Sequence, residues 1–189
     1  MKNKNYLYGL LLYGFIAGFT SPVSAEIRQC DKEFISSDDS RIVYMGRISR
    51  SIPHIVRFTY PGVSILANFE GTSLQMKAKP GSGAFMVEVD DELPYRINFA
   101  ENDSIQTLAE GLPEGTHRVR IMYAIEGYEL KPAFKGFYLD KGCRLAEAPV
   151  LPERRIEFIG NPITCGYGVE SENPSDPFTY ETENHFYTY

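Results

Sequence analysis

The amino-acid sequence predicts an all-β protein built as a two-sheet sandwich. From Ile42 to Leu139, apolar residues recur at alternate positions in short runs, the pattern of strands with one buried and one solvated face. Turn residues interrupt these runs about every ten residues, and no stretch between them repeats with the period of a helix. Roughly nine strands at this spacing fit a sandwich better than a small closed barrel.

The first four runs each end in a turn rich in Gly, Pro or acidic residues. Their apolar series are Val56, Phe58 and Tyr60; Ile65, Ala67 and Phe69; Leu74, Met76 and Ala78; and Phe85, Val87 and Val89. Because the polar residues of each run alternate with this series, each series is expected to face one core.

The same pattern continues to the end of the β-rich region. The later series are Tyr95, Ile97 and Phe99; Ile105 and Leu108; His117, Val119, Ile121 and Tyr123; and Phe134 to Leu139. Alternation gives the faces of these strands but not their order in the sheets.

The aromatic residues divide into a set expected in the core and a set considered as candidates for exposure. The core set is Phe58, Phe69, Phe85 and Phe99, and the candidates for exposure are Tyr60, Tyr95, Tyr128 and Tyr138. The loop from Glu126 to Pro132 lies between two strands, where a binding residue is expected more often than in a core.

Residues 1–25 have the pattern of a secretory signal peptide. Lys2 and Lys4 precede an apolar run, and small residues up to Ala25 follow it. The alternative, a membrane anchor, is disfavoured because the run is shorter than the roughly 20 residues of a span. The chain is therefore expected to be secreted or periplasmic, with no membrane contact after signal cleavage.

The charge of the chain argues against nucleic acid as a partner. Its formal net charge is −6, and loss of Lys2 and Lys4 with the signal peptide makes it −8. No run of Lys and Arg of the kind that follows phosphates is present. A neutral polysaccharide fits this composition, and no cofactor is indicated.

Three cysteines occur, so an exported chain can form at most one internal disulfide. Cys30 and Cys143 bracket the β-rich region and are the favoured pair, and the alternative is that these two and Cys165 all stay unpaired as small apolar residues. The three histidines are scattered and no Cys-x-x-Cys occurs, so no metal site is predicted.

A segment with a separate motif follows the β-rich region. It runs from Arg154 to Glu170 and is written RRIEFIGNPITCGYGVE. Ile156, Phe158 and Ile159 predict a short buried strand, which Gly160 ends. The segment resembles the first block of the SGNH hydrolases and is similar to the G-D/N-S-I-T-C-G-Y-G motif of carbohydrate esterase family two. The residues that match this active-site motif are Gly160, Asn161, Pro162, Gly166, Tyr167 and Gly168.

The resemblance to this family extends through the β-rich region. Tyr44 to Arg47, Phe69 to Leu74, Leu108 to Pro113 and Phe134 to Asp140 resemble the amino-terminal domain of these esterases, a jelly roll. The resemblance implies a jelly-roll β-sandwich over residues 26–146, a linker over 147–153 and an incomplete α/β SGNH hydrolase domain over 154–189.

One residue departs from the family pattern at the position that carries the chemistry. The family motif has the nucleophilic Ser where this chain has Pro162, which supplies neither a hydroxyl nor a backbone N–H for an oxyanion hole. The chain also ends at Tyr189, before the later family residues. Cys165 is expected to pack and His185 to be structural, so neither replaces the missing groups.

Two functions follow from this resemblance. The first is the amino-terminal part of an exported esterase similar to enzymes that deacetylate xylan and glucomannan in plant cell walls, inactive as given. The alternative is a free-standing carbohydrate-binding β-sandwich module. A third interpretation is that a premature stop or a frame error in the gene has shortened an ordinary esterase.

Overall fold

A computed structural model describes residues 31–154, 159–160, 173 and 175, and these residues form eleven strands in two antiparallel sheets with no helix. The strands are β1 (Lys32–Ser36), β2 (Val43–Met45), β3 (Ser49–Ile52), β4 (Ile55–Arg57), β5 (Ser64–Glu70), β6 (Leu74–Ala78), β7 (Gly83–Val89), β8 (Tyr95–Phe99), β9 (Ile105–Ala109), β10 (Thr116–Tyr123) and β11 (Ala133–Asp140). The predicted all-β sandwich is confirmed.

The first sheet is organised around its longest strand, β11. Its order is β3-β4-β11-β6-β9, and β1 pairs with β11 as well. β4 pairs with β11 at Ala133 and Phe134, while β1 pairs with it from Gly136 to Asp140. Two short strands therefore share one flank of β11, and β6 takes the other.

The second sheet has the order β2-β5-β10-β7-β8. β10 lies at its centre and pairs with β5 on one side and β7 on the other. The chain order is thus interleaved between the two layers, because β5, β7, β8 and β10 belong to this sheet whereas β6, β9 and β11 belong to the first.

The core lies between the sheets and is rich in aromatic side chains. Phe85 meets Phe99 and Tyr123 at centroid distances of 5.7 and 5.0 Å in edge-to-face geometry, which is favoured for aromatic pairs. Phe58 packs against the same group. The four phenylalanines assigned to the core, Phe58, Phe69, Phe85 and Phe99, are all buried as predicted.

The described residues contain two more strands than the roughly nine predicted, because the shortest strands carry no alternation. β1 lies before Ile42, where the predicted pattern began, and all four residues of β3 are exposed. The run predicted to reach Tyr60 ends earlier, at Arg57, and Tyr60 is 54% exposed.

The segment after β11 returns to the edge of the second sheet. Leu145 forms a bridge with Phe69 of β5, and the amide of Ala146 donates to the Asn68 carbonyl at 2.9 Å. The Asn68 side chain in turn donates to the Glu147 carbonyl at 2.9 Å. Hydrogen bonds to the sandwich therefore hold the chain as far as Glu147.

Candidate functional site

Most of the predicted catalytic motif lies outside the described residues. This applies to Asn161, Pro162, Gly166, Tyr167 and Gly168, and also to Cys30, Cys165 and His185. Gly160 is described and exposed. Ile159, which was expected in a buried strand, is 89% exposed, so the prediction of burial is wrong at this residue.

The strand register places four side chains in one line across the outer face of the first sheet. Phe34 of β1 is opposite Tyr138 of β11, Tyr138 is opposite Gln75 of β6, and Gln75 is opposite Thr107 of β9. We call these four residues the outer row. With neighbouring strands about 4.8 Å apart, the outer row spans roughly 14 Å.

The aromatic end of the outer row is a pair of neighbouring rings. Phe34 is 43% exposed, and its centroid lies 5.0 Å from that of Tyr138 with the planes tilted by 52°. Lys77 Nζ lies 5.1 Å from the Phe34 centroid and 5.6 Å from that of Tyr138, and it donates to the Tyr138 hydroxyl at 3.2 Å. The ammonium therefore holds both rings through cation–π attraction and one hydrogen bond.

A glycine provides the space that the Phe34 ring occupies. Gly136 lies opposite Ser36 with φ of +144°, and a Cβ there would lie 2.9 Å from Cε2 and Cζ of Phe34 and would clash with the Ile35 carbonyl oxygen. Only glycine combines this backbone conformation with the close approach of β1.

The polar end of the outer row is formed by an amide and a hydroxyl. Gln75 Nε2 donates to Thr107 Oγ1 at 3.3 Å, and Thr107 is exposed while Gln75 is half-buried. An amide has two donors and one acceptor oxygen and a hydroxyl can donate and accept, so one hydrogen bond between them leaves both groups able to form more. One end of the outer row is therefore aromatic, and the other end can form hydrogen bonds.

Of the four tyrosines considered for exposure, only Tyr138 belongs to the outer row. Tyr60 lies under the guanidinium of Arg47, whose Cζ is 5.5 Å from the ring centroid. Tyr95 is 39% exposed, and its hydroxyl donates to the Leu108 carbonyl. Tyr128 is 61% exposed in the loop expected to carry a binding residue, where the Glu129 carboxylate raises the pKa of its hydroxyl.

Sequence reasoning did not identify Phe34, Gln75 or Thr107 as candidates. Phe34 lies in a strand of only five residues, before the region in which alternation was evident. The available signal was the outward position of Gln75 and Thr107 in their strands. Only the register shows that Gln75 lies beside Tyr138 and that Thr107 lies beside Gln75.

A polar cluster fixes the next row of the same face. Lys32 Nζ lies 2.6 Å from Asp140 Oδ1 and also donates to Ser73 Oγ, which donates to Asp140 Oδ2 at 2.7 Å. Burial would raise the pKa of Asp140, but hydrogen bonds from Lys32 and Ser73 outweigh it and lower the pKa. These contacts among Lys32, Ser73 and Asp140 join β1 to β6 and β11 of the first sheet.

The thiol of Cys143 is half-buried against the backbone of a neighbouring turn. A Cβ on Gly71 would lie 2.7 Å from its Sγ. Burial raises the pKa of this thiol, and the Asp140 carboxylate raises it further. The thiol is therefore protonated at neutral pH and is a poor nucleophile, as expected of a packing residue.

The predicted Cys30–Cys143 disulfide stays a prediction, because Cys30 lies outside the described residues. Its neighbour Asp31 accepts a hydrogen bond from the Lys141 amide at 2.9 Å. The residue next to Cys30 is thus bound two positions before Cys143.

A histidine–carboxylate contact joins the start of β10 to the turns at one end of the sandwich. His117, only 7% exposed, places Nδ1 2.5 Å from Asp90 Oδ2 and Nε2 2.8 Å from the Pro113 carbonyl. The Asp90 hydrogen bond raises the pKa of His117 although burial opposes it. Two acceptors around the ring favour an imidazolium that donates from both nitrogens.

Two further properties concern the described residues alone. No group of three or more His, Cys, Asp and Glu side chains among them is arranged to hold a metal ion. None of them forms a helix long and apolar enough to cross a membrane.

Comparison with known families gives a match over most of the sandwich. The model of the carbohydrate esterase 2 N-terminal domain matches residues 44–149. The cellulase/esterase CelE of Acetivibrio thermocellus is 33% identical over 161 residues, which cover 84% of this chain and 20% of that protein. An acetylxylan esterase / glucomannan deacetylase of Cellvibrio japonicus is 34% identical over 170 residues, which cover 90% of this chain and 45% of that protein.

Solved structures show the same relationship. A family two carbohydrate esterase from Cellvibrio japonicus has a TM-score of 0.70 and 25% identity, over 82% of this chain and 47% of that one. A family two carbohydrate esterase from Clostridium thermocellum, in complex with cellohexaose, has a TM-score of 0.64 and 33% identity, over 76% and 45%. The chain therefore spans less than half the length of these relatives.

Proposed function

The chain belongs to carbohydrate esterase family 2, and we propose that it is the amino-terminal part of an exported esterase that deacetylates plant cell-wall polysaccharides. The observation that carries this proposal is the match of the family's amino-terminal model to residues 44–149, which include most of β2 and all of the strands from β3 to β11. In this proposal residues 1–25 direct export, and acetylated xylan or glucomannan is the substrate class.

The proposal includes a specific loss of catalysis. Pro162 occupies the position at which the family motif has the nucleophilic serine, so no hydroxyl is available there to attack an ester carbonyl. A proline also lacks the backbone N–H that such a residue donates to the oxyanion. The chain as given therefore does not hydrolyse esters.

The test is acetate release by the chain and by its Pro162→Ser variant, with acetylated xylan and 4-nitrophenyl acetate as substrates. Neither protein is expected to exceed the buffer blank, because the substitution restores the hydroxyl but not a general base. Turnover by the unmodified chain that is lost on Cys165→Ala or His185→Ala would overturn the proposal and show a different active site.

A further inference from the structure

We propose that the outer row, Phe34, Tyr138, Gln75 and Thr107, is a binding site for a neutral polysaccharide chain, separate from the esterase motif. The choice of ligand class rests on the proposed function, and the site itself rests on the geometry of these four residues.

The aromatic pair supplies the apolar contact that a sugar ring requires. The C–H groups on one face of a pyranose ring carry partial positive charge and pack against the electron-rich face of an aromatic ring. Phe34 is 43% exposed, and its centroid lies 5.0 Å from that of the half-buried Tyr138 with the planes tilted by 52°, so the two rings present adjacent, mutually inclined aromatic surfaces. Exposed aromatic area of this kind, bordered by polar groups, is typical of an interaction site.

The polar groups occupy positions suited to the hydroxyls at the ring edge. Gln75 and Thr107 continue the same line for two further strands, and Lys77 Nζ lies beside both aromatic rings. Together they supply an amide, a hydroxyl and an ammonium, which form hydrogen bonds with uncharged alcohols. A span of roughly 14 Å accommodates more than one sugar ring.

The structure also fixes the geometry of the row before any ligand is bound. Gly136 allows the close approach of Phe34, Lys77 holds both rings, and the Lys32–Asp140–Ser73 cluster anchors β1 beside β11. A surface whose side chains are already ordered loses less conformational entropy on binding.

This face is not covered by the described end of the chain. The segment from Arg144 to Glu147 runs along β5, which belongs to the other sheet. The outer row therefore stays accessible on the sandwich as described, and a polysaccharide can lie across β1, β11, β6 and β9.

The experiment measures binding of the chain to deacetylated xylan, deacetylated glucomannan and cellohexaose by affinity electrophoresis and titration calorimetry. Phe34→Ala and Tyr138→Ala are each expected to weaken binding of at least one of these probes about tenfold, and Gln75→Ala severalfold. Tyr138→Phe keeps the aromatic ring and is expected to retain affinity within about twofold.

The matched control is Tyr60→Ala, which removes an exposed tyrosine of similar size away from the outer row. It is expected to leave binding unchanged, and thermal melts verify that each variant is folded. Absence of binding to all three probes, or equal losses in Tyr60→Ala and Tyr138→Ala, would overturn the proposal. Dimerisation of the chain that Phe34→Ala abolishes would assign the face to a second copy and would also overturn it.

This binding test is independent of the esterase proposal, because the probes carry no acetyl groups. Absence of binding would overturn the outer row and leave the esterase proposal untouched. Hydrolysis by the unmodified chain would overturn the proposed loss of catalysis and leave the outer row untouched.

Discussion

At the scale of single residues, Gly136 controls the contact between β1 and the centre of the first sheet. Its φ of +144° disfavours any side chain, and an added Cβ would meet the Ile35 carbonyl oxygen and the Phe34 ring. A backbone atom cannot give way as a flexible side chain can. The position therefore determines both strand pairing and the placement of the aromatic ring in the outer row.

We expect Gly136→Ala to lower the free energy of unfolding by about 1–3 kcal/mol from backbone strain, with a further loss from the clash. Gly142→Ala is the control, because Gly142 also has positive φ, +86°, but no atom lies within 4 Å of an added Cβ. Urea denaturation compares the two variants. Equal destabilisation would show that the contact with β1 contributes nothing.

The contact between the buried His117 and the exposed Asp90 makes the stability of the fold depend on pH. Hydrogen bonds raise the pKa of His117 above its ordinary value of 6.5, with the Asp90 carboxylate as the main cause. Burial would raise the pKa of Asp90, but hydrogen bonds from the Arg118 amide and the His117 ring hold it below 3.8. Arg118 also faces this pair, through its amide and its contact with Asp91.

The sign follows from linkage between protonation and folding. A raised pKa for His117 gives stability that is fully present below pH 6.5 and is lost as the pH rises through the folded-state value. The lowered pKa of Asp90 gives stability that is present above pH 3.8 and is lost as the pH falls. The contribution of this pair is thus greatest between these two values.

We therefore expect the free energy of unfolding to fall as the pH rises from 6.5 to 8.5, and His117→Gln to remove most of that decrease. The control is His54→Gln, at a histidine whose side chain is 74% exposed, and this variant is expected to show the same decrease in the free energy of unfolding as the unmodified chain. Urea denaturation at a series of pH values measures this. A decrease of the same size in His117→Gln would contradict the assignment.

At the scale of elements, β1 is more than a terminal extension. It pairs with five residues of β11, from Gly136 to Asp140, and Lys32 joins it to Asp140 at 2.6 Å. Ile35 packs against the core, and Phe34 supplies half of the aromatic pair. The folding unit therefore begins before Ile42, where the alternating pattern began.

A chain that starts at residue 42 is expected to be less stable than one that starts at residue 31 by about 2 kcal/mol or more. Full burial of an isoleucine contributes ~1.5–3 kcal/mol, and the partly buried Ile35 contributes part of this in addition to the lost pairing of β1 with β11. The control compares chains that end at Ala148 and at Arg154, because over the described residues up to Arg154 the hydrogen bonds to the sandwich reach Glu147 and go no further. Equal melting temperatures for the chains starting at 31 and 42 would show that β1 is dispensable.

Alternation in the sequence was sufficient to predict the long strands but not the short ones. Leu74 to Ala78 and Phe85 to Val89 have the expected buried faces because a strand packed on one side exposes every second residue. β3 is an edge strand whose residues are all exposed, so it has no apolar period to detect.

The outer row could be predicted only in part. Tyr138 was among the residues predicted as candidates for exposure, and the structure places it between the buried Phe137 and Leu139. Its neighbours in the outer row come from strands distant in the chain, and periodicity carries no information on which strands pair. Long-range register is decided by packing of the two sheets and by the close approach at Gly136.

At the scale of the whole molecule, the chain combines a sandwich of known family with a segment that we propose is an altered catalytic motif. The sandwich supports family membership independently of that segment, because the matched residues 44–149 end before Gly160. The proposed loss of the nucleophile concerns residue 162, outside the matched region. Family membership and the loss of the nucleophile can therefore be tested separately.

The most direct test of whether Pro162 has replaced the nucleophile compares two chimaeras that differ only at residue 162. Each joins this chain to the remaining carboxy-terminal part of the Cellvibrio japonicus acetylxylan esterase / glucomannan deacetylase, and one of them carries Pro162→Ser. Acetate release from acetylated xylan is measured for both. We expect release by the Pro162→Ser chimaera and a rate lower by several orders of magnitude with Pro162, because loss of a serine nucleophile costs on the order of a millionfold in a serine hydrolase. Comparable rates for two folded chimaeras would contradict the claim that Pro162 has replaced the nucleophile.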